Sequence, residues 1–143
     1  MRLVYMCAFV PTTGKALWEG SPTPGLVLSD DGSIVYPPTS PMVDSFFYED
    51  VEPELAAEQT ALMQPQSAHA MWSPATWEAW REIPSTYMVC ENDKAIKLEK
   101  QEGFLALDGA EFEVERCKSG HMPFLSMPDF TAEVMRRAAG EKV

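Results

Sequence analysis

Three stretches of the chain carry the hydrophobic pattern of buried or half-buried β-strands. Residues 2–10, RLVYMCAFV, form a nearly continuous apolar run, and residues 85–90, STYMVC, form a second compact run rich in β-forming residues. Residues 111–117, EFEVERC, alternate polar and apolar positions, which is typical of an edge strand with charge on one face. We interpret the first run as a strand buried on both faces of a parallel sheet, because continuous apolar runs are typical of such strands.

Helical spacing of apolar residues fills much of the remaining chain. The predicted helices cover residues 52–62, 74–81 with Ser73 as N-cap, 95–108, and 128–139 with Phe130, Val134, Met135 and Ala138 as the inner stripe. The segment GLVLSDDGSIVYPP predicts a small hairpin with Asp31-Gly32 as its turn. Strands that alternate with helices point to an α/β fold whose parallel strands are joined by crossover connections.

Composition and charge narrow the classes of function. The chain has 143 residues, enough for one domain, with 22 acidic and 11 basic side chains and a formal net charge of -11. Nucleic acids and anionic membrane surfaces are polyanions and would repel such a chain, so we expect neither as a partner. No apolar run reaches the roughly 20 residues of a membrane span, and we do not expect the opening residues to be a signal peptide.

The three cysteines, Cys7, Cys90 and Cys117, each lie in an apolar or alternating run, where thiols usually behave as small buried hydrophobes. They have no CxxC or Cys/His spacing, so we expect no metal and no cofactor. An odd number of cysteines fits a reducing compartment, and we expect the protein to be cytoplasmic.

Two residues carry the candidate chemistry. Asp93 follows the predicted strand 85–90, and His121 follows the strand 111–117 within the loop KSGHMP. Neighbouring parallel strands end at the same edge of a sheet, where α/β folds place their ligands. An Asp that accepts a hydrogen bond from a His ring fixes its tautomer, as in an acid–base pair. Taken singly, such an Asp is most often a helix cap or turn former and such a His an ordinary loop residue, but their joint placement after successive strands favours the pair.

The stretches IPSTYMVCENDKAI and SGHMPFLSMP, with a helix and a strand between them, resemble the C-terminal half of an α/β-hydrolase. The nearest branch contains esterases, plant methylesterases and hydroxynitrile-lyase-like proteins. The resemblance implies a partial α/β-hydrolase fold of about three parallel strands with flanking helices and a helical cap insert. It implies Asp93 as catalytic acid and His121 as catalytic base. Lyase members carry Lys after the His, whereas Met122 stands here, as in the esterases.

The same resemblance divides the chain into two parts. Residues 1–12 and 83–143 correspond to the hydrolase core, and residues 13–82 correspond to the cap. In relatives the cap lines the substrate pocket, so His69, Met71 and Trp72 are candidate contacts for a small, ester-like substrate, and Met122 beside His121 is a fourth. We favour the simpler interpretation of the tryptophans, that they pack helices. Glu49, Asp50, Glu52 and Glu54 are interpreted as a solvated face and a helix N-terminus rather than a metal site.

The family's nucleophile motif, G-x-S-x-G, does not occur in these 143 residues. Ser119 and Ser126 lack that context, and buried thiols are inert, so no replacement nucleophile is evident. We therefore expect a chain that is inactive alone or forms one half of an enzyme completed by an N-terminal hydrolase portion. The alternative is a repurposed binding or non-hydrolytic acid–base protein. The first strand needs a neighbour in either case, and we expect a homodimer or a complementing half.

Overall fold

The computed structural model describes residues 1–19, 26–39 and 41–142. The strands are β1 (Leu3–Met6), β2 (Val27–Leu28), β3 (Ile34–Tyr36), β4 (Gln66–Ser67), β5 (Ser85–Cys90) and β6 (Phe112–Cys117). The helices are α1 (Met42–Phe46), α2 (Pro53–Leu62), α3 (His69–Trp72), α4 (Leu98–Leu105), α5 (Pro123–Ser126) and α6 (Pro128–Ala138). Within these ranges no helix combines the length and the apolar character that a bilayer crossing requires.

A parallel sheet of three strands, in the order β1-β5-β6, forms the centre of the fold and confirms the predicted α/β class. All six residues of β5 are buried, because β5 has a strand on each side and helices on both faces. Its side chains alternate between two cores. Tyr87 and Val89 pack with Phe104 of α4 on one face, whereas Met88 and Cys90 pack with Val134 of α6 on the other.

The first strand is shorter and less buried than its apolar run predicts. Only Leu3–Met6 pair with β5, and all four are half-buried. The prediction of a strand buried on both faces is therefore wrong for β1 within the described residues. The reason is its place at one edge of the sheet, where only one side of the strand has a partner.

The other terminal elements follow the sequence more closely. β6 is an edge strand of the three-stranded sheet, as predicted. Its apolar residue Val114 is 43% exposed. α6 begins at Pro128 and buries Thr131 and Val134. Met135, predicted to face inward, is instead 44% exposed.

The segment between β1 and β5 contains a second small sheet, in the order β2-β3-β4. The Asp31-Gly32 turn lies in the predicted hairpin, where Gly32 has a φ of 70° that suits glycine; Gly25, at the start of that prediction, lies outside the described residues. Helix α2 begins at Pro53 as predicted.

The helix predicted over residues 74–81 is wrong. Ser73 is instead the C-cap of α3, and only a short 3-10 turn, Ala79–Arg81, forms later. The residues before that turn are not helical because Ala75 forms a β-bridge with Thr13. Gly14 N donates to Ala75 O at 2.8 Å, and Ala75 N donates to Lys15 O at 2.9 Å. These long-range bonds replace the local ones of a helix.

Gln101 joins α4 to the end of β5 and is fully buried. Its Nε2 donates to Cys90 O at 2.9 Å and to Ile96 O at 2.7 Å, and its Oε1 accepts from Cys90 N at 2.9 Å. One side chain thus satisfies three backbone groups of buried residues.

We expect Gln101→Leu to lower the free energy of unfolding by about 2–4 kcal/mol, because it leaves those three backbone groups without partners. Urea denaturation measures the change. Glu99→Leu is the matched control, since Glu99 is exposed on the same helix and should change stability by less than about 0.5 kcal/mol. Equal losses in the two variants would contradict the bridging role.

Candidate active site

Asp93 lies in the turn that follows β5 and is 3% exposed. Its Oδ1 accepts hydrogen bonds from Ala95 N at 2.8 Å and Ile96 N at 2.9 Å. These bonds shape the chain before α4, which is why that helix starts at Leu98 rather than at residue 95. They also fix the orientation of the carboxylate, so that Oδ2 points away from the turn.

His121 lies in the loop that follows β6. The register pairs Cys90 with Cys117, so β5 and β6 end side by side. The two loops remain joined beyond the strands, because Glu91 N donates to Cys117 O at 2.9 Å and Asn92 N to Ser119 O at 3.2 Å. This pairing carries His121 to the position of Asp93.

The structure brings the two predicted residues into direct contact. His121 Nδ1 lies 2.9 Å from Asp93 Oδ2, with the Asp93 side chain fully buried and the His121 side chain 17% exposed. A carboxylate at Nδ1 favours the tautomer with its proton on that nitrogen, which leaves Nε2 free to accept a proton. This is the geometry of a general base held by its orienting acid.

Residues 47–50, which follow α1, contact the loop that carries His121. Asp50 Oδ2 accepts from Gly120 N at 2.6 Å and from Ser119 Oγ at 3.3 Å. The Phe47 ring lies 5.1 Å from the His121 ring. Asp50 is exposed, as predicted, but its carboxylate is engaged with the loop, which the charge pattern alone did not indicate.

The two serines considered as nucleophiles are hydrogen-bonded to each other. Ser119 Oγ and Ser126 Oγ lie 2.6 Å apart, and Ser119 Oγ also bonds to Asp50. Their hydroxyl groups therefore support the loop that carries His121.

The three thiols are buried, and two of them are held protonated. The hydrogen bond with Cys90 Sγ and burial together raise the pKa of the Cys117 thiol. The contact with Cys117 lowers the pKa of the Cys90 thiol, but the hydrogen bond from Cys7 and burial outweigh it, so that pKa is also raised. Sγ–Sγ distances are 2.8 Å for Cys7–Cys90 and 3.6 Å for Cys90–Cys117.

Cys7 differs from its predicted environment. It is 5% exposed but follows β1 rather than lying within it, and its φ is 43°. Its Sγ belongs to a group of side-chain atoms from Cys7, Asp93 and His121 that all lie within 4.8 Å of one another. The rule that located Asp93 and His121, a residue just beyond the carboxyl end of a parallel strand, applies equally to Cys7.

The residues predicted to contact substrate fall into two places. Met122 follows His121 and packs with Val43 and Tyr48. Met71 and Trp72 pack with Trp18, whose ring lies 5.0 Å from that of Trp72, and His69 is exposed on α3. Their roles as substrate contacts stay predictions.

A cavity of about 1010 Å³ lies between α4 and the segment that follows β1. Phe9, Lys15, Lys100 and Phe104 are among its lining residues, and Asp93 and His121 are not. The acid–base pair therefore lies outside this cavity.

Comparison with known proteins places the chain among hydrolases. It is 35% identical over 147 residues to the alpha/beta hydrolase nvfD of Aspergillus novofumigatus, an alignment that covers 100% of this chain and 58% of that protein. A pyrethroid hydrolase from Sphingobium faniae has a TM-score of 0.78 and 22% identity, covering 97% of this chain and 60% of that one. Polyneuridine aldehyde esterase has a TM-score of 0.76 and 16% identity, covering 96% and 62%.

The chain thus spans about three fifths of the length of the relatives it matches. The structural similarities establish a shared fold. Residues 1–134 match the model of the alpha/beta hydrolase family, and on that match the chain belongs to this family.

Proposed function

We propose that this chain supplies the acid and the base of an ester hydrolase. The observation that carries the proposal is the 2.9 Å contact between Asp93 Oδ2 and His121 Nδ1. His121 would take the proton of an attacking hydroxyl at Nε2 and return it to the leaving alcohol. Asp93 would stay ionised and stabilise the imidazolium that forms between those two steps.

The nucleophile in this proposal is a serine outside the 143 residues. The sequence has no G-x-S-x-G motif, and the hydroxyl groups of Ser119 and Ser126 bond to each other. The chain alone would then have little or no esterase activity. A second polypeptide, or a longer parent chain, would supply the serine and the oxyanion-hole donors.

An ester-like small molecule is the proposed substrate class. Supporting it are Met122 after the histidine, as in esterase-type members, and the fold shared with polyneuridine aldehyde esterase. Residues 13–82 would be the cap over that substrate, with His69, Met71 and Trp72 among its candidate contacts. We propose a cytoplasmic location, in keeping with three unpaired thiols.

We expect His121→Ala to reduce ester hydrolysis by about 10³-fold or more in a complemented enzyme, because the general base is lost. The chain is co-expressed with the N-terminal portion of a family member that bears G-x-S-x-G, and hydrolysis of p-nitrophenyl esters is measured. Glu133→Ala, at an exposed position of α6 outside the site, is the control and should retain most activity.

Two results would contradict this proposal: complementation that gives no activity above either part alone, or full activity in His121→Ala. A fluorophosphonate probe on the isolated chain gives an independent test. We expect no labelling, whereas labelling that depends on His121 would reveal a nucleophile inside these 143 residues.

We expect Gly120→Ala to reduce the complemented activity by about tenfold with little loss of global stability. A Cβ on Gly120 would lie 2.7 Å from Asp50 Oδ1, so the Asp50 carboxylate must shift, which weakens its hydrogen bonds to the loop that carries His121. Gly103→Ala is the control, because nothing lies within 4 Å of its added Cβ. Activity in Gly120→Ala equal to that of Gly103→Ala would show that Asp50 does not position the base.

We expect the isolated chain to form a twofold dimer through the edge of β1 that has no strand partner among the described residues. Light scattering should give twice the 16.0 kDa chain mass at micromolar concentration. Leu3 N donates to Pro84 O and Cys7 N to Met88 O, so the N–H of Val4 points away from β5. Val4→Pro removes that outward N–H and should give a monomer. Val4→Thr is the control. A wild-type monomer would contradict the expectation.

A further inference from the structure

Three potential metal ligands converge where the central strands end. Cys7 Sγ, a carboxylate oxygen of Asp93 and a ring nitrogen of His121 all lie within 4.8 Å of one another. Each residue follows a different strand of the sheet, so the cluster exists only in the folded chain. No spacing motif in the sequence could reveal it, because its members are separated by 86 and 28 positions along the chain.

The donor set is specific in its chemistry. Thiolate, imidazole and carboxylate are the three ligand types that zinc takes in proteins, and cobalt(II) accepts the same set. Calcium and magnesium prefer oxygen ligands alone and would not use the sulfur. The cluster therefore favours a zinc-class divalent cation over a hard one.

Two of the three donors are buried and already oriented. Cys7 is 5% exposed and Asp93 is 3% exposed. Among the described residues Cys7 is the one non-glycine with a positive φ, an unfavourable backbone state that its surroundings must hold in place. Two backbone N–H groups hold Asp93 Oδ1, as outer partners of metal-binding carboxylates do, and Oδ2 faces the cluster.

We propose that Cys7, Asp93 and His121 form a binding site for a zinc-class divalent cation. The His121 side chain is 17% exposed, so a water molecule could reach the cluster and supply the fourth ligand of a tetrahedral zinc. Zinc–ligand bonds of about 2.0–2.3 Å require ligand atoms roughly 3–4 Å apart, so the side chains need only a small contraction. Binding releases the Cys7 thiol proton to solvent. The proton on His121 Nδ1 passes to Nε2 through solvent as the Asp93–His121 hydrogen bond is exchanged for metal bonds.

The site does not depend on the proposed hydrolase function, although the two share residues. A bound cation occupies the carboxylate and the imidazole, so the metal-loaded chain has no free acid–base pair. Metal binding and ester hydrolysis would then exclude each other. Metal binding is measured by absorption spectroscopy, so its result does not depend on whether the chain takes part in ester hydrolysis.

The test is a titration of the purified full chain with Co²⁺ under oxygen-free conditions with a phosphine reductant. We expect one cobalt per chain, a near-ultraviolet thiolate-to-cobalt charge-transfer band, and displacement of the cobalt by Zn²⁺. Cys7→Ser should abolish the band, and His121→Ala should weaken binding at least about tenfold.

Cys117→Ser is the matched control, because Cys117 is a buried thiol of the same core but lies outside the donor group. It should keep the band. The proposal is overturned if the wild-type chain shows no band, if Cys7→Ser keeps it, or if Cys117→Ser loses it equally.

Zinc-edge X-ray absorption of the wild-type chain tests the same ligands without any variant that could misfold. We expect one sulfur together with nitrogen and oxygen neighbours. A shell of two or three sulfurs would assign the metal to the cysteines instead, and a shell without sulfur would exclude Cys7.

Discussion

The in-register pairing of β5 with β6 is the constraint on which the rest of the site depends. Because Cys90 lies opposite Cys117, the two strands end at the same level of the sheet. Backbone hydrogen bonds from Glu91 and Asn92 then keep the two following loops together. A slip of one residue would reverse the faces of β6 and move His121 away from Asp93. Burial of every residue of β5 makes such a slip costly, so hydrophobic packing fixes the geometry of the polar pair.

Asp93 links local structure to chemistry through its two carboxylate oxygens. One oxygen ends the strand and forms the turn before α4, whereas the other holds His121 Nδ1. A carboxylate fixed by two backbone N–H groups loses little further freedom when it binds the imidazole, so the pair is preorganised. Asp93 is therefore the turn former that its position after a strand predicts, and the same turn orients its side chain toward His121.

The sequence predicted those features that local signals determine. The run 85–90 indicated β5, and residues beyond strand ends indicated Asp93 and His121. Features set by distant contacts were not predictable. Residues 74–78 are not helical because Ala75 pairs with Thr13, and Asp50 contacts Gly120 from 70 positions away. Cys7 was assigned to a buried strand because the apolar run continues to residue 10, whereas pairing ends at Met6.

A hydrolytic acid–base pair and a zinc site require nearly the same thing of this sheet edge, namely converging donors with one open side. They differ in how His121 is used. Acyl transfer would keep the Asp93–His121 hydrogen bond and use Nε2 to accept the proton of a serine hydroxyl, whereas the metal site would replace that hydrogen bond with bonds to the cation and add the Cys7 thiolate. Because both uses draw on the same imidazole and the same carboxylate, they exclude each other, and the folded strand ends would serve either one with only a small adjustment of the side chains.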